Sequence, residues 1–362
     1  MRNQLRQGWR ASRAALSAAP GRAFVRQPPL RVGWVTAATL SSARRTFRDH
    51  QPPVSMRVNN TAFWITANAS EVRNEVYRSD RTYDVVVFFK AMDERCQIEA
   101  QRIKGGGGRV IFDANVNYYE VWGDYTVEGT KPTEQQQRDA VAMTGLADWV
   151  VADSTYLLDV VRRINPNASW IPDNVDLRTF RGRRQHERRS QLRLIWSGMA
   201  HKSGPFLSVI DALAMSNVEL VLVSNAKPTV FDTLREALPC SYVRFSERRY
   251  ASELARSDVI VSPKTLENAY EMAHTEYKIT PGMAIGLPAV ASPQQSYVEA
   301  IDARNGGVVA QSVYEWRDAL ESLRDSAVRS ELGARAAETV RRLYSTEATA
   351  RIYLDLIRSL AP

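Results

Sequence analysis

The chain has 362 residues, 44% hydrophobic and 24% charged, with two cysteines, four histidines and a formal net charge of +8. This is enough chain for two domains of ordinary size, in the composition range of a globular protein. Cys96 and Cys240 lie far apart in no ligand spacing, the histidines are scattered, and no run of about 18 apolar residues occurs. These features argue against a disulfide framework, a metal cluster and a membrane-spanning helix, and they fit a cytoplasmic protein.

The charge is unevenly placed. Residues 1–48 carry ten arginines and no acid, the first carboxylate being Asp49, which leaves residues 49–362 at −2. The basic character therefore belongs to the amino-terminal end, and no basic surface interleaved with aromatic residues runs through the remainder to suggest a nucleic-acid partner. Three readings fit residues 1–27: a disordered basic extension, an amphipathic helix in peripheral contact with an anionic membrane face, or an organelle transit peptide.

From there the chain reads as strands alternating with helices. Leu30–Thr36 is the first buried strand, and Tyr83–Phe89, Arg109–Phe112 and Trp149–Ala152 follow. A helix over Asp93–Lys104 ends at four glycines, and Asp153-Ser154 caps another that runs to about Ile164. Ser169–Pro172 closes this half. Arg181–Gln191 is polar and aperiodic and reads as a linker. A second series places strands at Arg193–Trp196, Glu219–Val223, Tyr242–Phe245, Val259–Val261, Ala289–Ala291 and Gly307–Ala310. Residues 314–360 are mostly helical, with a break near Tyr344-Ser345. The alternation predicts an α/β protein of two doubly wound parallel-sheet domains facing a cleft.

Several segments, in order, resemble the GT-B glycosyltransferases, in particular the retaining family 4. Ala147–Ser154 is similar to the family's strand and cap before its interdomain crossing, and the crossing continues from Pro166 to Phe180. Leu194–Gly204 resembles its glycine-plus-lysine donor loop, Ser257–Pro263 the strand before the sugar-binding region, and Lys278–Ser292 its helix, Gly-x-Pro turn and buried strand. The resemblance implies the GT-B fold, with two Rossmann-like domains and a helical C-terminus. Its parts would be a basic extension over 1–27, an acceptor-side domain over 28–185, a donor-binding domain over 186–345, and a final segment over 346–362 packing back on the first domain.

It also implies a nucleotide-sugar donor as substrate, a sugar, glycan or glycolipid acceptor, and hexosyl transfer with retention, without a metal or other cofactor. Gly198 would let the backbone approach the donor, and Lys202 and Lys278 would neutralise its diphosphate. Glu276 and Glu299 are further donor-side candidates. Asp113, His274 and Glu271 are candidates for catalysis, and Asn115 for the acceptor side. The sequence departs from the family at Pro281, which aligns with the glutamate that grips the donor ribose. That departure keeps open the reading of a catalytically lapsed binding or scaffold protein of this fold, and a sugar-nucleotide epimerase on the same fold is a further alternative.

Overall fold

The computed structural model describes residues 28–37, 40 and 52–361. The basic segment 1–27, and with it all three of its readings, lies outside the described residues. No helix among the described residues is long and apolar enough to cross a membrane.

Two parallel sheets of six strands each form the frame. The first comprises β1 (Leu30–Val35), β2 (Val72–Val76), β3 (Val85–Phe89), β4 (Arg109–Asp113), β5 (Trp149–Ala152) and β6 (Ala168–Trp170), in the order β2-β1-β3-β4-β5-β6. The second comprises β7 (Leu192–Gly198), β8 (Val218–Ser224), β9 (Cys240–Arg244), β10 (Val259–Ser262), β11 (Ala289–Ala291) and β12 (Gly307–Val309), in the order β12-β11-β10-β7-β8-β9. Val85-Val86-Val87-Phe88-Phe89 is buried throughout because helices cover both faces of the sheet, which is what a continuous β-branched and aromatic run specifies. The strand β2 and the helical stretch before it, Pro52–Asn68, occupy a region the sequence leaves irregular. β2 is an edge strand with polar Arg73, Asn74 and Glu75. Its register is fixed partly by Trp34 Nε1, which donates to Asn74 Oδ1 at 2.9 Å.

The Gly-x-Pro segment folds as its residues dictate. A short helix, Thr280–Ala284, stops where Gly286 takes φ +92°, and β11 follows in the centre of the core. The polar stretch 181–191 forms no helix or strand up to Gln191, yet it is tied to the second sheet. Arg184 Nε donates to Ser257 O at 2.9 Å, and both Arg184 and Arg189 reach the fully buried Asp258.

The chain crosses between the halves twice. Val175, on the way out, forms a parallel bridge with Ser345 on the way back. Ser345 then caps the helix Thr346–Leu360, its Oγ accepting from Ala348 N–H at 3.1 Å. That helix buries Ala350, Tyr353, Leu354 and Ile357 against Val32, Trp34, Val58 and Ile65 of the first half. The last helix therefore completes the core begun by the first strand.

Candidate functional site

In an open parallel sheet, loops on either side of the point where strand order reverses leave the carboxyl edge in opposite directions and open a crevice. The reversal falls between β1 and β3 in the first sheet and between β7 and β10 in the second. Each of these points carries lysine. Lys90 follows β3 directly, with φ +52°. Lys202 lies in the turn Ala200–Lys202 just beyond β7, and Lys264 lies just beyond β10. Lys278 arrives from the turn Glu276–Lys278.

Aromatic side chains hold two of these lysines, Lys202 and Lys278, in place. Lys202 Nζ donates to Tyr270 OH at 2.6 Å, and Tyr270 stacks edge-on against His274 with ring centres 4.6 Å apart. Lys278 Nζ stands 5.3 Å from the centre of the Trp196 ring. Gly198, the last residue of β7, lies against that same indole: a Cβ there would come within 2.4 Å of a Trp196 ring carbon. Gly198→Ala should therefore displace Trp196, and with it Lys278. We expect a loss of about 1–3 kcal/mol of stability, the usual cost of overpacking, measured by urea unfolding.

Glu271 fixes the loop that carries Lys264. Its carboxylate accepts from Thr265 Oγ1 at 2.7 Å and from Leu266 N–H at 2.8 Å, where Leu266 takes φ +59°. Burial pushes the Lys264 ammonium down to about 8 against the pull of Glu271, with Lys202 adding repulsion. Burial, then Lys264 and Lys202, hold Lys278 well below the usual lysine range. Burial and the four lysines 264, 202, 278 and 90 likewise keep His274 neutral, and its Nε2 has no hydrogen-bond partner among the described residues.

Facing this basic group from the first half is a buried acidic one. Arg57 Nε lies 3.0 Å from Asp113 Oδ2, and Arg57 Nη1 lies 3.1 Å from Asp173 Oδ1. Burial alone would lower the Arg57 pKa, but Asp113, Tyr353 and Asp173 raise it, so the guanidinium is held charged. Tyr353 OH donates to Asp113, and Thr275 Oγ1 of the second half donates to Asp173 at 2.8 Å. Asn115, at φ +49°, donates to Asp153 at 2.9 Å and to Asp173 at 3.4 Å. The two halves touch here: Ser154 Oγ donates to Ala273 O at 2.8 Å, and Asn268 Nδ2 to Asp124 O at 2.8 Å.

The residues singled out in the sequence thus fall into groups. Gly198, Lys202, Lys278, Glu271 and His274 come together on the second half of the cleft, and Asn115 stands on the first. Asp113 lies beneath the surface, 1% exposed, with both oxygens engaged. Glu276 is 1% exposed, and its Oε1 has no partner among the described residues. Burial, then Asp173, raises its pKa well above the usual carboxylate range. Glu299 accepts from Thr155 Oγ1 at 2.6 Å and so joins the two halves. Pro281 is buried in its short helix. Members of the cluster that the sequence reading did not single out include Arg57, Lys90, Asp153, Asp173, Lys264, Tyr270 and Tyr353. Lys90 and Lys264 carry a usable signal, each lying at or just beyond the end of an uninterrupted buried strand. Among the described residues no group of three or more His, Cys, Asp or Glu side chains is arranged to hold a metal ion.

No protein-family model matches the sequence, and no curated protein sequence matches it. Solved structures do. A sucrose-phosphate synthase from Thermosynechococcus elongatus superposes with a TM-score of 0.65, over 91% of this chain and 99% of its own, at 13% identity. A glycosyltransferase from Rickettsia africae ESF-5 gives 0.59 over 92% and 99%, at 11% identity. HepE of Anabaena, solved in complex with UDP, gives 0.58 over 91% and 100%, at 12% identity. Two parallel sheets joined by a double crossing, with a cleft between their carboxyl edges, make this a GT-B fold. The chain shares the architecture of these glycosyltransferases along nearly its whole length.

Proposed function

We propose that the chain is a glycosyltransferase that moves a sugar from a nucleoside-diphosphate donor, held by the second half, to a sugar, glycan or glycolipid acceptor on the first. The observation that carries this reading is the gathering of Lys202, Lys264 and Lys278 around one crevice with Glu271 as the nearby carboxylate. Three ammonium groups against one carboxylate leave two positive charges, which a diphosphate linkage matches. As the bond from the sugar to the diphosphate breaks, its electron pair leaves with the phosphate oxygen, and charges already in position stabilise it there. Neutral His274, with Nε2 unpartnered, supplies a hydrogen bond to the same group or to the sugar. Retention of configuration and hexosyl specificity are what the family resemblance implies.

The lysines make the binding reaction sensitive to protons. Lys264 and Lys278 are readily deprotonated in the empty crevice and charged beside a diphosphate, so binding takes up protons and affinity falls as pH rises above about 8. Calorimetric titration of UDP, GDP and ADP, in two buffers of different ionisation enthalpy, measures this uptake. Binding by none of the three would sink the reading. Binding without release of nucleoside diphosphate from any nucleotide sugar, across a panel of acceptors, would favour the lapsed form instead.

A further inference from the structure

Beyond β4 the chain forms a strap, residues 117–125, that is anchored in the first half and fastened to the second. At its base Asn117 Oδ1 accepts from Tyr119 N–H at 3.1 Å and from Glu120 N–H at 3.2 Å. Tyr119 OH and Thr144 Oγ1 lie 2.7 Å apart, and Glu120 accepts from Tyr156 OH and Arg163 Nη1, each at 3.0 Å. At its tip Gly123 and Asn268 form an isolated antiparallel bridge between the halves. Ala269 N–H donates to Trp122 O and Asp124 N–H to Glu267 O, both at 3.2 Å. Asn117 Nδ2 donates to Ala269 O at 3.4 Å, and Asn268 Nδ2 bonds Asp124 O. The two backbones approach so closely that only glycine fits. Gly123 has φ +79°, and a Cβ there would lie 1.8 Å from Glu267 O.

What the tip grips is the support of two candidate diphosphate ligands. Asn268 Oδ1 caps the helix Ala269–Met272 by accepting from Glu271 N–H at 2.9 Å. Tyr270, the second residue of that helix, accepts from Lys202 Nζ. Glu271, the third, holds Thr265 and Leu266 and so the loop that carries Lys264. The four residues 268–271 therefore connect the strap of the first half to Lys202 and Lys264 of the second.

Resting on the proposed donor site, we infer that Gly123 is a positioning residue through which the strap sets Lys202 and Lys264 for a nucleoside diphosphate. It acts through Asn268, Tyr270 and Glu271. The diphosphate grip of the second half is thus completed by the first, the half proposed to take the acceptor. Linkage makes the effect reciprocal: whatever the junction adds to nucleotide affinity, the bound nucleotide adds to the junction. Donor binding and fastening of the two halves are one coupled equilibrium.

The test is Gly123→Ala in the full chain, titrated calorimetrically with UDP, GDP and ADP. We expect the affinity for whichever nucleotide wild type binds to fall about 5- to 150-fold, the usual range for coupled sites. The distinguishing readout is proton uptake on binding near pH 8, measured in two buffers of different ionisation enthalpy. In wild type Lys264 faces Glu271, Lys202, Lys278 and His274 in a crevice that holds its pKa down. A loop released from the strap returns the ammonium to water, where it is charged before the ligand arrives, so uptake should fall. A merely structural defect would lower the melting temperature and leave the uptake per bound nucleotide unchanged. Asn268→Ser is the second variant, and it carries the test if Gly123→Ala does not fold. Serine still caps the helix but is too short to reach Asp124 O, so both readouts should move in the same direction. Wild-type affinity in both variants, or weaker binding with unchanged proton uptake, would overturn the strap's role. Wild type that binds none of the three nucleotides would instead overturn the donor reading itself, and this inference with it.

Discussion

Replacing Arg57 by methionine should destabilise the protein by about 3–5 kcal/mol, the cost typical of removing one partner from a buried ion pair. The guanidinium stands between Asp113 and Asp173 and also donates to Ile171 O at 3.0 Å, and all of these partners are shielded from water. Methionine fills much of the same space, so the loss measures uncompensated negative charge more than a cavity. Two carboxylates would be left with only Tyr353, Asn115 and Thr275 to share between them. Arg57→Lys should fall between wild type and methionine, because a single ammonium cannot present the planar fork that reaches both acids. Urea unfolding followed by circular dichroism gives the free energies. A methionine variant within about 1 kcal/mol of wild type would show that the carboxylates do not need the arginine.

The second large effect concerns Lys278. Lys278→Met should weaken nucleoside-diphosphate binding about 10- to 100-fold, equivalent to losing one charge-assisted hydrogen bond of roughly 1.5–3 kcal/mol. Stability should move the other way or not at all. Lys278 is buried, flanked by Lys264 and Lys202 and packed over Trp196, so in the empty crevice its removal lifts chiefly the cost of burying an ammonium. A purely structural lysine would lose stability and leave binding unchanged. Thermal denaturation with and without UDP, GDP or ADP, together with titration calorimetry, separates the two cases. The affinity difference should shrink at high salt, because the missing contribution is electrostatic.

The legible parts of the chain are those where one physical requirement acts alone. A strand buried on both faces needs an apolar run, and Val85–Phe89, Val150–Ala152 and Ala289–Ala291 satisfy it without regard to anything distant. Gly286 and Pro288 end a helix by backbone geometry alone. The region around residues 52–76 was illegible because its order comes from partners far away in sequence. Arginine is usually exposed, and nothing near Arg57 announces that Asp113, Asp173 and Ile171 will enclose it. Val72–Val76 is too polar to read as a strand until β1 lies beside it. The candidate site divides in the same way. Gly198, Lys202 and Lys278 lie at a strand end and in single 3₁₀ turns, within segments of recognisable local pattern. Lys90 and Lys264 gain meaning only from strand order, which locates the reversal points. The Asp153-Ser154 pair reads as a cap, but only Ser154 accepts from the helix, at Leu157 N–H.

The return of the helix Thr346–Leu360 to the first half also governs the order in which the protein can mature. Tyr353 reaches Asp113 across 240 positions of sequence, and the face of β1 that bears Trp34 has its full apolar cover only when this helix joins Val58 and Ile65 there. During synthesis the first half emerges early, but it must wait with an open apolar flank and a half-satisfied Arg57–Asp113 pair until the second half has been made. The second half has no such debt and can fold once β12 and the helices after it have emerged. The part made first is the part finished last, and the interval between them is when the nascent chain is most exposed to aggregation and most dependent on chaperones.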